Sequence, residues 1–193
     1  MDTIILASGS KRRQDYFKLL GLTFSAIATN IDESCEADLS PSAMTEELAQ
    51  RKVKKALEMF GERRPAWICG ADTVVSVGNT IMGKPENEAD AARMLHLLSG
   101  NEHQVTTSVA LYRGKDAYMD CRTSVSILKA AKLSEKEIDW YVSTGEWQGA
   151  AGGLCIQGKG AIFIDNINGS YSGIVGLPLR EFYCMLKDAG YFS

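Results

Sequence analysis

Two kinds of hydrophobic pattern alternate along the chain. One is a short continuous apolar run, and the other is a longer segment whose apolar residues recur at helical spacing. The apolar runs are rich in β-branched and aromatic residues and are bounded by glycine, proline or polar residues. They predict strands at residues 4–7, 22–28, 67–77, 105–112, 121–128 and 161–167. Two tight turns, at 77–80 and 113–116, predict two hairpins, one that joins 67–77 to the apolar pair at 81–82 and one that joins 105–112 to 121–128.

Helices are predicted between these strands. The best bounded follows Ser40-Pro41 and repeats apolar residues at helical spacing until Gly61. Its basic run at 51–55 lies opposite that stripe and is predicted to be a solvated face. Further helices are predicted at 12–20, from Asn87 to Gly100, after the capping box Ser134-x-x-Glu137, and after Pro178. This mixture predicts an α/β protein with a mixed rather than purely parallel sheet.

Length and charge narrow the class of protein. The 193 residues predict one large domain or two small, closely packed ones, that is, a single unit over 1–193 with two lobes around a cleft as the alternative. The 24 acidic against 21 basic residues give a net charge of −3, which argues against a stable nucleic-acid partner. No apolar run approaches the roughly 20 residues that a membrane helix needs, and charge follows the first apolar stretch, unlike a signal peptide. Five cysteines without a CxxC pair indicate reduced thiols. The chain is therefore predicted to be cytoplasmic and without a membrane partner.

Two hydroxyls and three cations meet where the first strand gives way to the first helix. Ser8-x-Ser10-Lys11-Arg12-Arg13 joins them to the free N–H groups of a helix start, which suits an anion such as a polyphosphate. The alternative is an N-terminal capping serine followed by surface basic residues.

Asp72 interrupts the apolar strand at 67–77. A carboxylate there must be paired, metal-bound or at an exposed strand end, because unpaired burial is costly. Together with Glu33 of the acidic loop at 30–40, it is a candidate ligand for a divalent cation. The alternative is a carboxylate that caps neighbouring backbone. Lys84, in a Gly-Lys-Pro turn, and Lys52 are candidate phosphate contacts, although each alone is more often a solvated lysine.

Nine of the 18 glycines lie between Gly145 and Gly176. Within this stretch, residues 153–159 match G-x-x-x-x-G-K, but Gly160 replaces the required Ser or Thr and an apolar strand is predicted next, so a phosphate-binding P-loop is excluded. We interpret the stretch as a wall of backbone around Gln157, whose amide offers a donor and an acceptor to a nucleobase edge. The two histidines, His96 and His103, are predicted to be non-catalytic.

Taken in order, the motifs resemble those of the Maf family of nucleoside triphosphate pyrophosphatases, named for septum formation in bacteria. The motifs are Leu-Ala-Ser-Gly-Ser-Lys-Arg-Arg at 6–13, Gly-Ala-Asp-Thr-Val-Val at 70–75, Gly-Lys-Pro at 83–85, Met-Leu-x-x-Leu-Ser-Gly at 94–100, His-x-Val-x-Thr at 103–107, Gly-Glu at 145–146, Cys-Ile-Gln-Gly at 155–158 and Ile-x-Gly-Ser-Tyr-Ser at 167–172. The resemblance implies the inosine triphosphate pyrophosphatase fold, an elongated α/β structure with a curved mixed sheet flanked by helices and a central cleft. It also implies hydrolysis of a nucleotide to its monophosphate and pyrophosphate with Mg²⁺ or Mn²⁺, and a homodimer.

The same resemblance assigns roles by position. Asp72 matches the proposed general base, and Glu33 an acidic position near the metal. Positions of the subgroup that prefers dTTP and UTP are matched by Arg12, Thr73 and Gln157. Phosphate-contacting positions are matched by Arg13, Lys52 and Lys84, next to the hydroxyls of Ser8 and Ser10. These matches predict a house-cleaning enzyme for unwanted pyrimidine nucleotides.

The chain also departs from the family pattern. Ala150 stands where the family has a lysine before its Gly-Ile-Gln-Gly motif, so one cation is missing, although Lys159 lies in the same loop. Lys11 and Trp147 each replace a family proline. Two alternatives therefore stay open: a preference for 7-methyl-GTP or another purine nucleotide, and a non-catalytic nucleotide-binding regulator of cell division. A DNA-binding role is weaker, because the basic residues are few and interrupted by acidic ones.

Overall fold

The computed structural model of the protein describes residues 2–35 and 39–193. Glu36 and Asp38, which belong to the predicted acidic loop, lie outside the described residues. The strands are β1 (Ile4–Leu6), β2 (Phe24–Ala26), β3 (Trp67–Val77), β4 (Thr80–Met82), β5 (Glu102–Arg113), β6 (Tyr118–Ala130) and β7 (Ile164–Asn168). The helices are α1 (Lys11–Leu19), α2 (Pro41–Phe60), α3 (Glu88–Leu98), α4 (Glu135–Ser143), α5 (Tyr171–Val175) and α6 (Leu179–Asp188), with two 3₁₀ turns at Ala151–Gly153 and Lys159–Phe163.

The strands form one seven-stranded mixed sheet in the order β2-β1-β3-β5-β6-β7, with β4 paired to β3. β1 runs parallel to both β2 and β3, whereas β4 is antiparallel to β3 and β7 is antiparallel to β6. The predicted α/β class with a mixed sheet is therefore confirmed. Within residues 2–35 and 39–193, no helix is both long and apolar enough to cross a bilayer.

Contacts divide the chain into two units. The first comprises Met1–Asp72, Thr107–Ser124 and Gly176–Ser193, and the second comprises Thr73–Thr106 and Val125–Val175. In the first unit, Phe17 of α1 and Phe182 of α6 are fully buried in one core cluster, and a second cluster lies beneath α2. The second unit has its own two clusters, one of which contains Tyr141 and Phe163. Each unit therefore has an apolar core of its own.

Helix α2 begins and ends as predicted, because Ser40 accepts a hydrogen bond from the backbone N–H of Ala43 and Gly61 takes a positive φ of 58°. The prediction of a solvated basic face is wrong for Lys52, which is only 8% exposed. Its aliphatic stem lies on the buried face of the helix, and its ammonium group meets carboxylates there. Helical periodicity alone could not predict the burial of Lys52, because this side chain is buried through its contacts with carboxylates and not because it is apolar.

Strand bounds differ from the prediction by up to three residues, and helical turns occur where none was predicted. The strand predicted at 161–167 begins at 164, because Lys159–Phe163 forms a 3₁₀ turn, in which the backbone N–H of Gly160 donates to Glu146. Apolar residues in a single 3₁₀ turn have no period that distinguishes them from the start of a strand. The short helix α5 was not predicted, because its five residues are too few for periodicity to indicate a helix.

Candidate active site

The centre of the candidate site is an ion pair between Lys52 of α2 and Asp72 of β3. The Lys52 ammonium nitrogen lies 2.5 Å from Oδ1 of Asp72, and both residues are less than a tenth exposed. The alternation of β3 explains the meeting, since Gly70 faces α2 and Asp72, two residues later, lies on the same face. Burial of two opposite charges is weak evidence for stability, because desolvation offsets most of their attraction. The pair therefore indicates a functional role.

Gly70 permits this approach of helix to strand. A Cβ atom at this position would lie 2.6 Å from the backbone oxygen of Ala49 and 2.9 Å from a methyl group of Val53. Glycine inside a strand often marks such a close approach of another backbone. Gly70, two residues before Asp72, was therefore a signal for the packing of α2 that the sequence analysis did not use.

Substitution of Gly70 by alanine is expected to lower the free energy of unfolding by about 2 kcal/mol, because the added methyl group meets a helix backbone that has to move. The same displacement separates Lys52 from Asp72, so catalytic activity falls as well. Urea unfolding measures the first effect. Gly83→Ala is the matched control, since nothing lies within 4 Å of a Cβ atom there. Equal stability of the two variants would contradict the close approach.

Glu33 brings a second carboxylate to the same ammonium group. Its Oε1 lies 3.1 Å from the Lys52 nitrogen, and its side chain is half exposed. Two hard carboxylate oxygens therefore face one point, and Mg²⁺ is commonly held by one or two carboxylates together with water and phosphate oxygens. The donor set thus fits a divalent cation bound together with a phosphate. Within the described part of the chain, no group of three His, Cys, Asp or Glu side chains is assembled for a metal.

Arg13 connects the first helix to this charge cluster. Its Nε donates to the carbonyl oxygen of Gly176 at 2.7 Å, and its Nη1 donates to the hydroxyl of Ser8 at 3.1 Å. Burial lowers the pKa of Arg13, and the carboxylate of Asp72 partly opposes that shift. Asp72 and Arg13 therefore lie close enough to interact electrostatically, so the structure brings together predicted residues from two separate motifs.

The hydroxyls of the first loop have unequal roles. Ser8 is buried, and its oxygen also accepts from the backbone N–H of Ser10 at 3.2 Å. Ser10 is the N-cap residue of α1, but its side chain makes no capping hydrogen bond, so the predicted capping alternative is wrong in that detail. Arg12 is partly exposed on the first turn of α1. The roles of these residues toward phosphate or base stay predictions.

The second unit carries the other predicted residues. Lys84 is exposed in a turn whose Gly83 carbonyl accepts from the backbone N–H of Gly152 at 2.8 Å, so this turn packs against the glycine-rich stretch. Gln157 is exposed at the end of that stretch, and Thr73 is partly exposed on β3. Ala150 is buried, with only 4% exposure.

The two histidines, predicted to be non-catalytic, lie in different environments. His96 is about half exposed on α3 beside Glu135, whereas His103 on β5 is 5% exposed. Among the described residues the Nδ1 of His103 has no hydrogen-bond partner. Burial lowers the pKa of His103 to about 4. The imidazole is therefore neutral in the folded protein at physiological pH.

A pH-dependent loss of stability is expected from His103. Between its unfolded pKa of about 6.5 and its folded pKa of about 4, the unfolded chain binds the proton and the folded chain does not, so stability falls as the pH decreases through that window. The full contribution is roughly 3 kcal/mol. The free energy of unfolding, measured with urea at about pH 7, 5.5 and 4.5, should decrease less toward low pH in His103→Gln than in the parent. The prediction would be refuted if His103→Gln lost stability toward low pH as steeply as the parent, or if His96→Gln reduced the pH dependence equally.

Comparison with known proteins shows which family and which individual proteins this chain resembles. The profile of the family described as Maf-like protein matches residues 3–189. A dTTP/UTP pyrophosphatase of Pelotomaculum thermopropionicum is 41% identical over 99% of this chain and 98% of its own length. A dTTP/UTP pyrophosphatase of Maricaulis maris is 43% identical over 97% of this chain and 88% of its own. A nucleoside triphosphate pyrophosphatase of Anaplasma phagocytophilum is 40% identical over 100% of this chain and 97% of its own.

Proposed function

This chain belongs to the family of Maf-like proteins, and from that premise we propose that it is a pyrophosphatase that hydrolyses dTTP and UTP to the monophosphate and pyrophosphate. Relatives that are about 40% identical over nearly the whole chain and are named dTTP/UTP pyrophosphatases support the activity. The observation that carries the chemistry is the buried Lys52–Asp72 pair, with Glu33 on the same ammonium group.

The charge cluster suits attack by water on the α-phosphorus. This step builds negative charge on the phosphate oxygens, and fixed cations at Lys52 and Arg13 stabilise it without reorganisation. We assign to Asp72 the task of orienting the water and accepting its proton. In addition, Glu33 and Asp72 are the residues that would hold Mg²⁺ or Mn²⁺, and such a cation supplies Lewis-acid stabilisation of phosphate oxygens.

Base preference is assigned to the second group of residues. We propose that the amide of Gln157 hydrogen-bonds the uracil or thymine edge, with Arg12 and Thr73 as further specificity residues and Lys84 toward the phosphates. Gln157→Glu is expected to reorder the nucleotide preference, because the carboxylate removes the donor and leaves a base acceptor unpaired at roughly 1–3 kcal/mol. The measurement is kcat/KM for UTP against CTP and GTP. An unchanged order would exclude base contact by this side chain.

The test of the proposed function is a nucleotide panel with product identification. Purified protein with Mg²⁺ or Mn²⁺ should release pyrophosphate and monophosphate from dTTP and UTP. Orthophosphate release would show that a different bond is cut, and faster turnover of 7-methyl-GTP would favour the purine alternative. Omission of the divalent cation, with chelator present, should abolish turnover.

A second candidate function rests on Ala150. At the position of the family lysine stands a small buried side chain, so one phosphate contact is missing. Nucleotide binding without turnover in the same panel would favour a non-catalytic regulator. A homodimer and a cytoplasmic location stay predictions.

A further inference from the structure

The loop that carries Gln157 is exposed at its tip and buried at both ends. Gln157, Gly158 and Lys159 are exposed, whereas Cys155 and Gly160 on either side are buried. An exposed tip of three residues with a glycine at its centre has little intrinsic stiffness. What holds the two ends therefore decides where the Gln157 amide lies.

A buried tyrosine holds the first end. The backbone N–H of Cys155 donates to the hydroxyl oxygen of Tyr141 at 2.9 Å. Tyr141 is fully buried, and its ring packs edge-on against Phe163 with the ring centroids 5.8 Å apart. The hydroxyl is therefore presented from a rigid aromatic cluster at the end of α4.

A carboxylate holds the second end. The backbone N–H of Gly160 donates to Oε2 of Glu146 at 3.2 Å, and a Cβ atom at Gly158 would lie 2.2 Å from Oε1 of the same carboxylate. The Glu146 carboxylate therefore lies directly against the loop backbone, and a side chain at position 158 would displace it.

The two holding residues also contact each other. The Tyr141 hydroxyl lies close enough to the Glu146 carboxylate to interact with it, and burial raises the pKa of Tyr141, so the phenol keeps its proton. Thr144 orients the pair, because its hydroxyl donates to the Tyr141 carbonyl at 2.7 Å and accepts from the Glu146 backbone N–H at 3.2 Å. Cys155 and Gly160 are therefore held by two neighbouring side chains, those of Tyr141 and Glu146.

We propose that Tyr141 and Glu146 are positioning residues that set the nucleotide preference by clamping both ends of the Gln157 loop. The inference rests on the proposed function, because it assigns Gln157 to the base. Neither residue is assigned to the phosphates. Loss of the clamp should therefore weaken discrimination and raise KM, with little change in kcat.

The test compares Glu146→Ala, Glu146→Gln and Tyr141→Phe with the parent, using UTP and CTP as substrates. Glu146→Ala is expected to raise KM for UTP about tenfold and to bring the UTP and CTP values of kcat/KM together, with kcat within about threefold. Glu146→Gln should restore much of the preference, because the amide oxygen still accepts from Gly160. Tyr141→Phe should behave like Glu146→Ala. Glu135→Ala, an exposed substitution on α4, is the matched control.

Hydrogen exchange gives a readout that does not require turnover. The amides of Cys155 and Gly160 should exchange faster in Glu146→Ala than in Glu135→Ala. Unchanged exchange, or faster exchange with an unchanged preference for UTP over CTP, would overturn the clamp. If the parent hydrolyses no triphosphate, the proposed function fails, and the ratio of the UTP and CTP dissociation constants in parent and variants then tests the clamp. If the ratio of dissociation constants is the same in the parent and in every variant, the clamp is overturned.

Discussion

Asp72→Asn is expected to lower kcat for UTP and dTTP by a factor of about 10²–10⁴, which is the usual contribution of a positioned general base. The amide keeps the shape of the side chain but cannot accept the proton of the attacking water. It also removes the negative charge of one of the two carboxylates that face the Lys52 ammonium group. Initial rates of pyrophosphate release at saturating nucleotide measure the effect.

The control for Asp72→Asn is Asp165→Asn, since Asp165 is exposed on β7. Mn²⁺ titration in the presence of a non-hydrolysable UTP analogue separates two roles of Asp72. Weaker Mn²⁺ binding in the variant assigns the residue to the metal, whereas unchanged binding with lost turnover assigns it to the proton. Turnover within threefold of the parent would remove Asp72 from the mechanism.

Lys52→Met is expected to lower both stability and activity. Methionine preserves much of the apolar stem but leaves Asp72 as a buried charge that has lost its lysine, and removal of one partner of a buried pair typically costs about 3–5 kcal/mol. The expected value lies at the lower end, because Arg13 is near enough to stabilise the remaining carboxylate. Urea unfolding with linear extrapolation measures the change.

The double variant Lys52→Met/Asp72→Asn tests the reason for that loss. Neutralising the remaining carboxylate should recover most of the unfolding free energy while turnover stays absent, because stability and catalysis depend on different properties of the pair. Lys54→Met is the matched control, an exposed lysine on the same helix. A double variant that is no more stable than Lys52→Met would show that the buried charge is not the cause.

Most of the elements were predictable from neighbouring residues. Asn87 accepts from the backbone N–H of Asp90, and Ser134 forms the predicted capping box with Glu137, so α3 and α4 begin where these local signals indicate. A near-continuous apolar run likewise located β3 over residues 67–77. At 161–163 a 3₁₀ turn forms where a strand was predicted, because three apolar residues are too few to distinguish the two.

The sequence by itself determined the order of the elements, the family and the residue types of the site, because periodicity, capping and motif spacing are properties of residues near one another in the chain. Only the tertiary structure decided that Lys52 is buried against Asp72 and Glu33, since that contact depends on how closely α2 approaches β3 at Gly70. It also decided that Tyr141 and Glu146 hold the Gln157 loop. Hydrogen bonds between segments form only where packing has brought them together, and no local pattern encodes that approach.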